Sequence, residues 1–240
     1  VGTIQPTAEI AKLCRDRGVI FHSDAVDAAG NVPVDVKDLQ VDALSISANQ
    51  FYGPTGSGAL YIRKGVRIQP YLEGGIQEGG RRAGTENIAG IVGLGTAAEL
   101  AGQEMKKRGK HAAGLRDKII SGLTGTVEHV YLTGHPTDRL PHHASFCIEF
   151  IEGEAMLLSL DIKEIAAASG SACTSKALKA SHVLLAMGFD HALAQGSLVF
   201  STIQETTEEN IEYLLDVFPP IIDRLRQMSP LYNKYLEEKK

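Results

Sequence analysis

Val19-Ile20-Phe21-His22-Ser23-Asp24 is a short apolar run closed by a serine and an aspartate, and Ala43-Leu44-Ser45-Ile46-Ser47 is a second such run further along. Runs this short, apolar and bounded by Gly18 or by turn residues, read as strands of a parallel sheet. On the near side, Ile10, Leu13 and Cys14 fall at i, i+3 and i+4, which predicts a helix starting at Thr7 after Pro6, closed by Gly18, with Cys14 in the core. On the far side, Ala59-Leu60-Tyr61-Ile62 is a third strand candidate across the turn-rich stretch Gly53-Pro54-Thr55-Gly56-Ser57-Gly58. Strands alternating with helices predict an α/β fold.

From Glu86 to about Leu123 the pattern becomes helical, with small residues such as Ala89, Gly93 and Ala97 that allow close packing. Strands are expected near 127–132, 145–150 and 197–201, and helices over 154–160 and 182–187. A last helix starts from a capping-box pattern, Thr206 to Glu209, and runs toward Met228, with a kink at Pro219-Pro220 and a frayed charged end after it. The change from sheet-forming to mixed α+β pattern falls near residues 98–110, and divides the chain into domains 1–100 and 101–240. The chain begins at Val1 in a segment that reads as the middle of a loop, so a piece is expected upstream.

The chain has 240 residues, 43% of them hydrophobic and 22% charged, enough to bury a core. A net charge of −5 without a basic stripe argues against nucleic acid as a partner. Mean hydropathy near −0.05, with every apolar run broken early, leaves no membrane-spanning segment. Three scattered cysteines, Cys14, Cys147 and Cys173, form neither a disulfide framework nor paired metal ligands, and fit a reducing, cytoplasmic setting.

Two segments carry possible chemistry. Asp24, at the end of a strand, is either a turn or cap residue or a carboxylate at the sheet edge where α/β folds bind ligands. Cys173 lies in Ser169-Gly170-Ser171-Ala172-Cys173-Thr174-Ser175, where small residues give a thiol little to pack against; it is either reactive or merely accessible. Cys147, within Phe146-Cys147-Ile148, reads as structural. The Gly-rich stretch from Gly74 to Asn87, with Arg81 and Arg82, leads into a helix and could hold an anion there or serve as a connector.

Taken together, Gly2-Thr3-Ile4-Gln5-Pro6, His22-Ser23-Asp24-Ala25, Tyr52-Gly53-Pro54, Gly84-Thr85-Glu86-Asn87, Arg139-Leu140-Pro141, Glu152-Gly153-Glu154-Ala155, the Cys173 loop and Ser181-His182-Val183-Leu184 resemble the NifS/IscS-type cysteine desulfurases. The resemblance implies a fold-type I pyridoxal-phosphate-dependent transferase. Here that means part of the large parallel/mixed-sheet domain plus the small C-terminal α+β domain. It implies that Asp24 pairs with the cofactor's pyridine nitrogen, that Ser47 and Thr85 hold its phosphate, Thr85 across a dimer interface, and that Cys173 carries sulfur as a persulfide. It further implies L-cysteine as substrate, a homodimer or heterodimer, an iron–sulfur scaffold or other sulfur acceptor as partner, and Cys173 as a possible ligand of an iron–sulfur cluster at the partner interface. No other metal site is expected.

The chain departs from that pattern. Ser47-Ala48-Asn49-Gln50 places Gln50 where the family has its Schiff-base lysine, and Asn49 where it has histidine. Asn49 can still donate to a phosphate, but an amide forms no imine. Asp27 stands where a glutamine contacts the cofactor's phenolate oxygen, and Val199 where an arginine clamps the substrate carboxylate. Gln204 and Glu205 replace an arginine-aromatic pair, Gly79 an arginine and Ala83 a serine. The family's ring-stacking histidine, phosphate-binding Gly/Thr turn and pyridoxal-contacting asparagine belong upstream of Val1. Three readings follow: a sulfur carrier degenerate in pyridoxal-phosphate chemistry; an active desulfurase holding the cofactor noncovalently; and a non-catalytic dimerisation or regulatory subunit.

Overall fold

The computed structural model describes residues 1–170 and 180–239. They divide into two compact units, Gln5–Gly109 and Val1–Ile4 with Lys110–Lys240.

In the first unit, α1 (Thr7–Asp16) leads to β1 (His22–Asp24), a single turn α2 (Val36–Leu39), β2 (Ala43–Ser47), a 3-10 turn (Ala48–Phe51) and β3 (Gly58–Ile62). The sheet order is β1-β2-β3; β1 pairs with β2 in parallel, Asp24 opposite Ser45, and β3 closes the edge antiparallel, Gly58 opposite Ser47. Val19 and Ile20 lie outside the strand and are exposed, because the Val19 amide still donates to the Cys14 carbonyl at the end of α1 (2.9 Å). Strand pairing begins only where the Phe21 amide donates to the Asp42 carboxylate, 2.9 Å away. Cys14, expected in the core, is half-buried, and its neighbour Leu13 is 54% exposed: the apolar face of α1 is only partly covered by this unit.

The short α3 (Gln77–Gly80) has left-handed backbone at Glu78 and Gly79. It precedes the long α4 (Ile88–Thr126), whose first turn is closed by the Gly90 amide donating to the Asn87 side chain (3.1 Å). Ala97 and Ala101 of α4 pack against Ala29 and Phe51. Their small size matters. A Cβ on Gly53 would lie 3.1 Å from the Ala97 methyl and 2.8 Å from that of Ala48, so the turn after β2 rests directly on the helix.

The second unit is an antiparallel sheet, β4 (Val130–Leu132), β5 (His143–Ile148) and β6 (Ser197–Ser201), in that order. β5 alternates faces. Ala144, Phe146 and Ile148 enter the main core with Leu115, Ile119 and Leu123 of α4, while Cys147 packs on the other face with Ala180, Leu184 and Ala194. The main core is completed by Met156 and Leu160 of α5 (Gly153–Asp161) and by Ile211, Leu214, Phe218 and Ile222 of α8 (Glu208–Gln227). The helices α6 (His182–Ala186) and α7 (His191–Gln195) cover the Cys147 face.

Two details differ from the sequence-based expectation. The cap of α8 is Thr207 with Asn210, one residue beyond Thr206 and Glu209. And the charged terminus is not frayed throughout: α9 (Pro230–Glu238) starts from a Ser229 cap, and Tyr232 and Tyr235 pack their rings at a tilt against Phe150. As expected, α8 runs on through Pro219 and Pro220, its buried stripe continuing from Phe218 to Ile222.

Candidate functional site

The carboxyl edge of β1 and β2 brings five of the expected residues to one stretch of the first unit. Asp24 ends β1, exposed, and its Oδ1 accepts the Val26 amide at 2.8 Å, so one oxygen serves as a turn acceptor. The parallel register sets Asp24 beside Ser45, which puts Ser47 one full side-chain repeat further toward the edge on the same strand face as Ser45. The Ser47 hydroxyl donates to the Asn49 Oδ1 at 2.5 Å. Asn49 and Gln50 are both exposed on the 3-10 turn, while its Ala48 and Phe51 are buried and anchor it. Left-handed backbone at Tyr52 and a bond from the Gly53 amide to the Ala48 carbonyl, 2.8 Å, end the turn. Asp27 is exposed beyond β1, and its carbonyl accepts the Asn31 side-chain amide at 3.0 Å.

Sequence reasoning missed one member of this edge. His22 Nε2 lies 2.7 Å from the Ser45 hydroxyl. The signal was present: His22 and Asp24 are two apart on β1, so they share a face, and parallel pairing sets Ser45 opposite Asp24.

The other expected residues lie elsewhere. Thr85 is exposed on the segment before α4 and makes no hydrogen bond to the edge group. Arg81 and Arg82 each direct one guanidinium N–H at a backbone carbonyl, that of Glu78 and that of Ala83. Val199 sits mid-β6, half-buried, paired with Ser145 and bridged to Ala168. Gln204 and Glu205 are exposed beyond β6. Cys173 lies in 171–179, outside the described residues. Cys147 is fully buried, and burial first, then the nearby Asp190 carboxylate, pushes its thiol up to about 11. Such a thiol is packing material.

Among the described residues no group of His, Cys, Asp and Glu could hold a metal ion, and no helix is long and apolar enough to cross a membrane.

This pairing of a mixed-sheet α/β unit with an antiparallel-sheet unit is the architecture of fold-type I pyridoxal-phosphate-dependent transferases. A NifS-like protein from Rickettsia africae superposes with a TM-score of 0.85 at 30% identity, over 92% of this chain and 59% of that one. Another solved NifS-like protein gives 0.83 at 36% identity, over 94% and 58%.

The chain belongs to the aminotransferase class-V family, whose model matches residues 1–214. It is 49% identical to the cysteine desulfurase IscS of Clostridium botulinum over 100% of its own length and 61% of that protein's. To the cysteine desulfurase NifS of Azotobacter vinelandii it is 47% identical, over 97% of this chain and 58% of that one. The chain thus spans about three fifths of the length of the curated relatives it matches. The family implies pyridoxal phosphate as cofactor.

Proposed function

We propose that this chain is a cysteine-desulfurase-like protein of sulfur mobilisation and iron–sulfur cluster assembly that carries sulfur as a persulfide on Cys173 and is degenerate in pyridoxal-phosphate chemistry. The supporting observation is the donor set at the β1/β2 edge. Asp24, Asp27, Ser47, Asn49 and Gln50 offer carboxylates, a hydroxyl and carboxamides, and no lysine stands on β1, β2 or the 3-10 turn. A carboxamide nitrogen, its lone pair delocalised into the carbonyl, does not condense with an aldehyde. These residues therefore do not fit pyridoxal phosphate as a covalently held group.

Sulfur carriage needs no cofactor on this chain. A donor protein's persulfide gives its outer sulfur to the Cys173 thiolate; the donor's S–S bond breaks, a new S–S bond forms at Cys173, and the donor leaves as a thiolate, with no net oxidation. Partners in this reading are a second subunit of the same fold and a sulfur-accepting scaffold. L-cysteine is the original sulfur source.

The second reading, an active desulfurase holding the cofactor noncovalently, is favoured by the carboxylate of Asp24 and the hydroxyl of Ser47 sharing one sheet edge. Intact mass and peptide mapping after incubation without reducing agent separate the two. The sulfur-carrier reading expects no adduct with cysteine and pyridoxal phosphate alone, an adduct at Cys173 when an active desulfurase is added, and none in Cys173→Ser. An adduct formed without the added enzyme would establish the second reading. No adduct under either condition would leave the chain a non-catalytic subunit.

A further inference from the structure

At the open end of the β4/β5 pair, within the second unit, titratable side chains converge on one hydroxyl. Val130 pairs with Ile148, so the next rung sets His129 against Glu149, and the Glu149 amide donates to the His129 carbonyl at 3.0 Å. His129 and Phe150 both have left-handed backbone there, at φ +56° and +74°. That region is disfavoured for side chains of such bulk and persists only where the surroundings hold it. Arg226 supplies the hold: it is 4% exposed and donates to the carbonyls of Glu128, His129 and Glu149.

The pinned corner aims one imidazole. His129 Nδ1 lies 3.0 Å from Glu149 Oε2, and its Nε2 lies 3.0 Å from the hydroxyl of Tyr235 on α9. A carboxylate only accepts, so the neutral imidazole carries its proton on Nδ1, and the bare Nε2 accepts the Tyr235 O–H. The Tyr131 hydroxyl also donates to Glu149 Oε2, at 3.1 Å, and steadies the carboxylate from its other side. Tyr235 itself is half-buried, its ring 4.8 Å from that of Phe150. The Lys239 ammonium stands 4.9 Å from the Tyr235 ring centre, a positive charge beside the group on which negative charge develops as a proton leaves. Hydroxyl, base and a third group that orients the base are the parts of an activated nucleophile.

We propose that Tyr235 is a site of acyl modification, its hydroxyl a nucleophile toward activated acyl groups, with His129 as general base and Glu149 as the residue that orients it. The phenolic oxygen forms a bond to the acyl carbon and gives its proton to His129 Nε2. The bond from the acyl carbon to the leaving group then breaks, and the leaving group departs with that proton. Nothing is oxidised or reduced. The site lies within the second unit and is independent of the sulfur-carrier reading.

The test uses the full chain and N-acetylimidazole as the acyl donor at neutral pH. Acetylation of each tyrosine is followed by peptide mass mapping and assigned to phenolic oxygen by its removal with hydroxylamine, which leaves acetylated amines intact. Tyr71, 94% exposed, is the internal reference, and by accessibility alone it reacts before the half-buried Tyr235. General-base assistance contributes roughly 10²–10⁴-fold in a fully aligned site, so Tyr235 is expected to react at least about ten-fold faster than Tyr71. His129→Asn removes the base with a residue that accepts left-handed backbone, and should bring the ratio of the two rates to about one or below. Glu149→Gln keeps an acceptor for the Nδ1 proton but not its charge, and should lower the ratio about three-fold or more. A wild-type ratio of one or less overturns the proposal, and so does a ratio that either variant leaves unchanged.

Discussion

Acidification should destabilise the second unit through His143. This residue opens β5, and burial first, then the positive charges of His142 and Arg139, pulls its imidazole from 6.5 down to about 4. Gly2, at φ +75°, lies so close that a Cβ there would sit 2.7 Å from the His143 Nδ1. The folded state thus holds the neutral ring, while the unfolded chain takes up a proton as soon as pH drops below about 6.5. The contribution is complete above the unfolded value and is lost as pH falls toward about 4. At pH 5 the unfolded imidazole is almost wholly protonated and the folded one about a tenth so, which corresponds to a loss of about 2 kcal/mol relative to neutral pH. Carboxylates titrate in the same window, so the quantity to measure is a difference. Urea unfolding of wild type and His143→Gln at pH 7.5 and pH 5 should show wild type losing about 2 kcal/mol more than the variant between the two. Parallel losses in both proteins would refute the argument, because the buried neutral imidazole would then not be the group that takes up the proton.

Two further substitutions address the same unit. Gly196→Ala drives a methyl into the carbonyls of Ile148 and Ile151, at 2.1 and 2.8 Å, and neither belongs to a movable side chain; a loss of about 3 kcal/mol is expected by thermal or urea unfolding, and a loss under 1 kcal/mol would show that the β5/β6 junction can yield. Arg226, 4% exposed, donates to the carbonyls of Glu149, Glu128 and His129, so Arg226→Met should cost about 2–4 kcal/mol by leaving those acceptors unpaired, while a neutral outcome would mean that water replaces the guanidinium.

Local chemistry made most elements legible and long-range contact made the rest invisible. β2 occupies Ala43–Ser47 as its apolar run predicts, and β3 extends the Ala59–Ile62 run by one residue, to Gly58. At α1 the apolar spacing shows which face seeks cover, but periodicity says nothing about how much cover the unit supplies, so Cys14 emerges half-buried. Near α8 two overlapping frames, Thr206 with Glu209 and Thr207 with Asn210, both spell a cap, and the reciprocal bond between the Thr207 and Asn210 side chains and backbones decides for the second. α9 has an apolar stripe, Leu231, Tyr232, Tyr235 and Leu236, but no buried residue; Tyr232 and Tyr235 hold it by packing their rings against Phe150, far back along the chain. At the site, strand ends gave the edge residues their places, whereas the His22–Ser45 contact required the parallel register, which no single strand contains.

The same geometry leaves the Gln50 side chain outside the contacts that hold the sheet edge together. Gln50 is exposed on a turn whose anchoring is done by its neighbours, Ala48 fully buried and Phe51 packed with Ala29, Ala97 and Ala101. Nothing that stabilises the first unit passes through the Gln50 side chain, so exchanging it costs the fold little. Gln50→Lys should accordingly leave the unfolding free energy within about 0.5 kcal/mol of wild type, as for other exposed positions without partners. A loss beyond about 1 kcal/mol would mean that the turn depends on the carboxamide. If the stability is unchanged, the fold places no constraint on the side chain at residue 50.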